Sequence, residues 1–186
     1  AAAHGFRTLL TQDYCPTPTL CWSEAQDADA EGGIKLTSSH NPAEYLGVKL
    51  RMADGGAAGK EFTDRVEAVL PDAATAERGA CEEADLMTAY LDALKQRVDV
   101  EAIRDAHLRV VVDPLYGAGR CYLADLLRDL GVEVCEINNA EDPTFDGLHP
   151  EPIPPWVDRC IAKVPEMGYD AGFINDGDAD RIGAVD

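Results

Sequence analysis

Leu108-Arg109-Val110-Val111-Val112-Asp113-Pro114-Leu115-Tyr116-Gly117-Ala118-Gly119 is the stretch on which the fold turns. Residues 108–112 read as a strand of the kind buried on both faces of a parallel sheet. Residues 113–119 then form a turn. Downstream, Tyr122, Leu123, Leu126, Leu127 and Leu130 keep helical spacing as far as Gly131. Residues 132–137 read as a second strand. Trp156, Cys160, Ile161 and Val164 suit a helix, and residues 171–174 a third strand, with Asn175 opening the final loop. Upstream, Leu86, Tyr90, Leu94 and Val98 form one stripe of a leading helix. The order β-α-β-α-β calls for a mostly parallel sheet covered by helices. Ligands of such sheets gather beyond the carboxyl ends of the strands, just where Asp113 and Asp176 fall. A dinucleotide reading of Gly117-Ala118-Gly119 fails, because Tyr122 stands where the third glycine belongs.

The first half is sparser. Cys15-Pro16-Thr17-Pro18 leads into a helix over residues 20–30, which Gly32-Gly33 ends. Residues 34–36 read as a short strand and run into a polar loop. Residues 47–52 are a second strand, with Val48, Leu50 and Met52 on one face. After the turn Ala53-Asp54-Gly55-Gly56, the residues Phe62, Val66, Val69 and Leu70 keep helical spacing until Pro71. Residues 71–84 carry little apolar periodicity and read as a linker. The expected fold is therefore α/β: two three-layer α/β/α domains, 1–84 and 85–186, with mixed, mostly parallel sheets.

Composition narrows the function. The formal net charge of −19 excludes nucleic-acid binding through a general basic field. An anionic substrate would need local cations or a metal ion. No apolar run approaches the roughly 20 residues of a membrane helix. The six cysteines include no C-x-x-C pair and no zinc spacing, so reduced structural thiols in a cytoplasmic protein are expected.

Two loops carry chemistry. The first is Thr37-Ser38-Ser39-His40-Asn41-Pro42. A serine hydroxyl is a weak nucleophile unless activated, and His40 is adjacent while Lys49 lies in the next strand. Taken alone, the loop also reads as a plain polar turn whose serines cap backbone groups. The second loop is Asp176-Gly177-Asp178-Ala179-Asp180-Arg181. Carboxylates at alternating positions, separated by small residues, can converge on one hard cation. An EF-hand is excluded, since Arg181 stands where that loop needs glycine.

Together the loops resemble the α-D-phosphohexomutase family (phosphoglucomutase/phosphomannomutase type). Its phosphoserine loop, Thr-x-Ser-His-Asn-Pro, is matched by Thr37, Ser39, His40, Asn41 and Pro42. Its metal loop, Asp-Gly-Asp-x-Asp-Arg, is matched by residues 176–181. Pro16-Thr17-Pro18, Asp113-Pro114 with Gly117-Ala118-Gly119, and Pro150-Glu151-Pro152 resemble further family segments. Leu46-Gly47 departs from the family's usual Asn-Gly before the lysine. The resemblance implies part of the first and most of the second of four domains, without the Gly-Thr-Asp-Gly segment and the sugar- and phosphate-gripping domains.

What the resemblance implies is a hexose 1-phosphate/6-phosphate mutase working through a phosphoserine at Ser39 and a bisphosphorylated sugar. Mg2+ would be held by Asp176, Asp178, Asp180 and Ser39. Lys49 and Arg181 would bind substrate, Lys49 also serving as general acid/base if its pKa is lowered, although either can instead be a plain ion pair. His40 would orient the loop or assist proton transfer. The hexose phosphate and the bisphosphate are the partners; nucleic acid and membrane are not. A phosphoglucosamine mutase and a non-catalytic sugar-phosphate-binding relative are the alternatives. His4, His107 and His149 carry no expected role. The shared site requires the Ser39 hydroxyl to lie within roughly 4–7 Å of the nearest of the three carboxylates.

Overall fold

The computed structural model describes residues 1–73 and 77–186. A short 3-10 turn precedes strand β1 (Leu9–Thr11) and helix α1 (Thr17–Gln26). The hairpin β2 (Gly32–Thr37) and β3 (Gly47–Met52) follows, then helix α2 (Lys60–Glu67) and strand β4 (Glu82–Ala84). Next come α3 (Met87–Lys95), α4 (Val100–Asp105), β5 (Arg109–Asp113), α5 (Tyr122–Asp129), β6 (Glu133–Glu136), α6 (Asp158–Met167), β7 (Ala171–Asn175) and β8 (Ile182–Val185).

The second half matches the alternation expected. Its sheet runs β6-β5-β7-β8. β5 pairs in parallel with both β6 and β7, and β8 turns back antiparallel on β7. The centre of β5, Val110-Val111-Val112, is apolar because both its faces are covered. Val111 joins Leu115, Val157, Cys160, Val164 and Ile174 on the α6 side. Val110 and Val112 join Ala124 and Val132 on the α5 side. The loops after β5 and β7 thus open together at one edge of the sheet, where strand order reverses.

Among the described residues the first half holds two small sheets, β1-β4 parallel and β2-β3 antiparallel. Several boundaries differ from expectation. α1 begins at Thr17, since Pro18 in its first turn needs no donor there, and it ends at Gln26. Gly32-Gly33 opens β2 instead of capping the helix; the Glu24 side chain lies over Gly33, where a Cβ would meet its Oε1 at 1.3 Å. The expected linker 71–84 contains β4, whose register on β1 is reinforced by the exposed Arg7–Glu82 pair. Residues 74–76 of that linker lie outside the described residues. The leading helix of the second half also splits into α3 and α4, because Asp99 caps a new start by accepting the N–H of Ala102.

Residues 14–22 supply one set of contacts between the halves. The Arg120 guanidinium lies 4.3 Å from the Tyr14 ring centroid. The Tyr122 hydroxyl donates to the Tyr14 carbonyl at 3.0 Å, and Trp22 packs on Tyr90. Leu115 is wholly buried in the α6-side core and carries a left-handed φ of 47° at the start of the loop after β5. Leu115→Ala should lower stability by about 2–5 kcal/mol, because the deleted side chain leaves a cavity. Urea unfolding followed by tryptophan fluorescence would read the shift.

Candidate active site

Each residue of the serine loop has a visible structural task. The Thr37 hydroxyl accepts the N–H of Ser39 at 2.8 Å. The Asn41 backbone N–H and side-chain amide both donate to the Ser38 carbonyl, at 3.0 Å each. This clamp holds Ser39 at φ 57°, a left-handed conformation that a non-glycine residue rarely adopts. Ser39 is nearly buried, at 9% exposure, and its hydroxyl points at the second loop.

That loop is the β7–β8 connection. One carboxylate oxygen of Asp176, Oδ1, accepts the N–H groups of Asp180 and Arg181, closing the turn. Three neighbours fix it from outside. The Thr17 N–H donates to the Asp178 carbonyl at 2.9 Å, the Ala118 N–H to the Gly177 carbonyl at 2.9 Å, and the Gly177 N–H to the Pro150 carbonyl at 3.0 Å.

The two loops touch. Ser39 Oγ donates to Asp178 Oδ1 at 3.4 Å, shorter than the roughly 4–7 Å expected, because that range counted a phosphoryl group on the hydroxyl. Asp178 is buried, and its Oδ2 accepts the Thr17 hydroxyl at 2.8 Å and Lys49 Nζ at 3.0 Å. Lys49 also lies 3.9 Å from Asp180 Oδ2. Arg181 Nη1 donates to His40 Nδ1 at 2.8 Å, and its Nε is 3.8 Å from Asp176 and 3.9 Å from Asp180. His40 Nδ1 is in turn 3.4 Å from Ser39 Oγ. The structure therefore brings Ser39, His40, Lys49, Asp176, Asp178, Asp180 and Arg181 into one cluster.

The electrostatics separate the aspartates. Burial pushes the Asp176 carboxyl up to about 6; the N–H of Arg181 works against this, and the charges of Asp178 and Asp180 add to it. Burial also acts to raise Asp178, but hydrogen bonds from Lys49 and Thr17 and the Lys49 charge outweigh it and hold that carboxyl below its usual range. Asp176 Oδ2 is buried and accepts no hydrogen bond. Oxygens of Asp176, Asp178 and Asp180 come within 4.8 Å of one another. An all-oxygen set with an orphaned buried acceptor fits a hard divalent cation, whose charge would relieve the crowding.

Sequence reasoning missed three neighbours. Thr17 sits in a segment singled out by motif, yet nothing there announced its bond to Asp178. Glu151 carries its carboxylate to within 3.9 Å of His40 Nε2 and 4.0 Å of Arg181 Nη1. His149, given no role, faces His40 edge-on with ring centroids 6.1 Å apart. These contacts join distant parts of the chain, and no local pattern encodes them.

Comparison with known proteins is consistent across three kinds of match. Residues 1–77 match the family model for phosphoglucomutase/phosphomannomutase α/β/α domain I, and residues 88–186 that for domain II. A phosphoglucomutase/phosphomannomutase from Thermococcus kodakarensis is 38% identical over 176 residues, spanning 92% of this chain and 38% of that protein. A phosphoglucosamine/phosphogalactosamine mutase from Sulfurisphaera tokodaii is 30% identical, over 92% of this chain and 39% of that protein. A crystal structure described as a phosphomannomutase from Thermus thermophilus superposes with a TM-score of 0.92 at 38% identity, over 99% of this chain and 43% of that one. The chain thus spans about two-fifths of the length of these relatives.

Proposed function

Since the chain belongs to the phosphoglucomutase/phosphomannomutase family, we propose that it forms the phosphoserine- and metal-bearing part of a longer mutase. That enzyme would interconvert hexose 1-phosphate and hexose 6-phosphate through a bisphosphorylated sugar. In this reading residues 1–84 and 85–186 are its first two domains. The observation that carries the reading is the 3.4 Å contact between Ser39 Oγ and Asp178, which joins the nucleophile loop to the carboxylate loop. Six free thiols suit a reducing, cytoplasmic setting. Among the described residues no helix is long and apolar enough to cross a membrane.

The chain's own residues divide the work. Ser39 Oγ gives up its phosphoryl group to a sugar hydroxyl and recovers the other phosphate of the bisphosphate. Each transfer takes a proton from the attacking hydroxyl and returns one to the oxygen that leaves, so the serine oxygen gains a proton in the first transfer and loses it in the second. His40 Nδ1, 3.4 Å away, is placed to exchange it. Arg181 presents a planar fork to the phosphoryl oxygens, and Lys49 a point charge beside it. Asp176, Asp178, Asp180 and the Ser39 oxygen would hold Mg2+, which supplies charge neutralisation and polarisation of the phosphoryl oxygens when bound. A phosphoserine carries about −1.5 to −2 charge, so it could not rest against three carboxylates without such compensation.

The test is a mutase assay on a polypeptide joining these 186 residues to the family's remaining domains, with glucose, mannose and glucosamine 1-phosphates. At least one should be isomerised, Mg2+ should be required, and chelation should abolish turnover. Turnover of none, with Ser39 unlabelled by a hexose bisphosphate, would refute the reading in favour of a sugar-phosphate-binding role. The 186 residues alone should show no significant turnover, since catalysis requires all contacting groups held together.

A further inference from the structure

The Pro150-Glu151-Pro152 stretch is absorbed by no step of the chemistry above, yet its backbone and side chain reach both loops. The Pro150 carbonyl accepts the Gly177 N–H, tying the segment to the carboxylate loop. The Glu151 carboxylate, one quarter exposed, extends the other way into a group of potential cations. Its Oε1 lies 3.9 Å from His40 Nε2 and 4.0 Å from Arg181 Nη1, and its Oε2 3.5 Å from His149 Nδ1. His149 Nδ1 is itself buried without a hydrogen-bond partner. The His149 ring is backed by Trp156, with centroids 5.5 Å apart. Other acids near the cluster, Asp176 and Asp180, lie 3.8 and 3.9 Å from Arg181 Nε and not at its Nη1.

The hydrogen-bond chemistry of His40 gives this arrangement a direction. A guanidinium only donates. Arg181 Nη1, at 2.8 Å, therefore meets a bare His40 Nδ1, and the proton of the neutral ring sits on Nε2. That N–H faces Glu151. The partner of one imidazole nitrogen sets the state of the other. The same Nδ1 that is kept bare is the one 3.4 Å from the nucleophile oxygen.

We propose that Glu151 is a positioning residue for phosphoryl transfer: its carboxylate holds His40 and Arg181 in register so that the bare Nδ1 and the guanidinium fork both address the Ser39 oxygen. Glu151 touches no reacting atom and acts through these two side chains. The proposal rests on the mutase reading for its catalytic consequence, but its structural content stands apart from it.

Two measurements separate the two. In the longer mutase, Glu151→Gln keeps shape and removes charge. It should lower kcat roughly 10–100-fold, by analogy with the loss when the hydrogen-bond partner of a metal-ligating side chain is removed, with KM and melting midpoint nearly unchanged. Glu151→Asp, which retains the charge, should recover part of the loss. Unchanged kcat in Glu151→Gln, or a loss seen only in KM or the melting midpoint, would overturn the proposal. The second measurement needs no turnover. Nitrogen-15 spectra of the 186-residue chain should show His40 as a single tautomer bare at Nδ1, as the Arg181 contact requires. In Glu151→Gln its ring signals should move toward the average of a turning ring while β5 signals stay in place. An unmoved His40 spectrum would overturn the proposal whatever the assay shows, and a moved spectrum beside an inactive wild type would leave Glu151 its positioning role while removing the mutase reading.

Discussion

Ser39→Ala in the longer mutase is expected to lower turnover by at least about 10^3-fold, the scale seen when a covalent nucleophile is removed from an otherwise intact site. The fold should survive. The Ser39 hydroxyl contributes one hydrogen bond of 3.4 Å, to Asp178, and lies 3.4 Å from His40 Nδ1, and Asp178 keeps Thr17 and Lys49 as partners when the hydroxyl is gone. Thermal melts should therefore move by no more than about 1 kcal/mol of stability, the ordinary scale for a point substitution. Alanine at 39 must still adopt the left-handed φ of 57°, which the Thr37 and Asn41 contacts impose. Ser38→Ala is the matched control. Ser38 supplies its backbone carbonyl to the clamp, which alanine retains, so activity should fall by no more than a few-fold. Intact mass after incubation with a hexose bisphosphate gives the second readout: wild type and Ser38→Ala gain one phosphoryl group, and Ser39→Ala gains none. Comparable losses from the two alanines would mean that the wrong serine has been assigned.

Much of this was legible because it is local. The apolar run 108–112 announces a doubly covered strand, and Val110, Val111 and Val112 do divide between two core faces. The Thr-x-Ser spacing is readable because Thr37 must reach the N–H two residues on, a short-range contact. The alternating aspartates likewise follow from a single turn closed by Asp176. What stayed hidden depends on chain segments far apart. β1 and β4 are three residues each and find one another across more than seventy positions, so no periodicity marks them. Glu24 lies over Gly33, and that packing turns an apparent helix stop into the opening of β2. Gly117 invited a cofactor reading when seen beside Gly119. In the fold it is glycine because its α-carbon lies against Gly177, where a Cβ would stand 2.6 Å from the carbonyl oxygen.

Gly177 carries that last point furthest, and its substitution should rival the loss of the nucleophile. Its φ is not in the left-handed region, so no backbone strain demands glycine there. Space does. A Cβ at Gly177 would lie 2.3 Å from the Ser39 carbonyl oxygen and 3.2 Å from Pro150 Cγ. The first contact is to backbone, which cannot rotate away as a flexible side chain would. Gly177→Ala must therefore push the serine loop and the carboxylate loop apart, or break the bonds that Thr17, Ala118 and Pro150 make to hold the second loop. Overpacking of this kind costs about 1–3 kcal/mol of stability. The larger consequence falls on function, since a displacement near 1 Å between reacting groups can cost about 10^2-fold in rate. The expected result is a mutase that folds, melts modestly early and turns over about 10^2-fold slower. Its Mg2+ affinity should fall as well, because Asp176 and Asp178 flank the moved residue. Gly59→Ala is the control, with nothing within 4 Å of the added carbon. As an N-cap it should lose no more than about 1 kcal/mol and keep full activity. Isothermal titration with Mg2+, a urea melt and the mutase assay on both variants decide the matter. A Gly177→Ala enzyme with wild-type turnover would show that the loops do not need the close approach seen between Ser39 and Gly177, and the shared site built on it would fail.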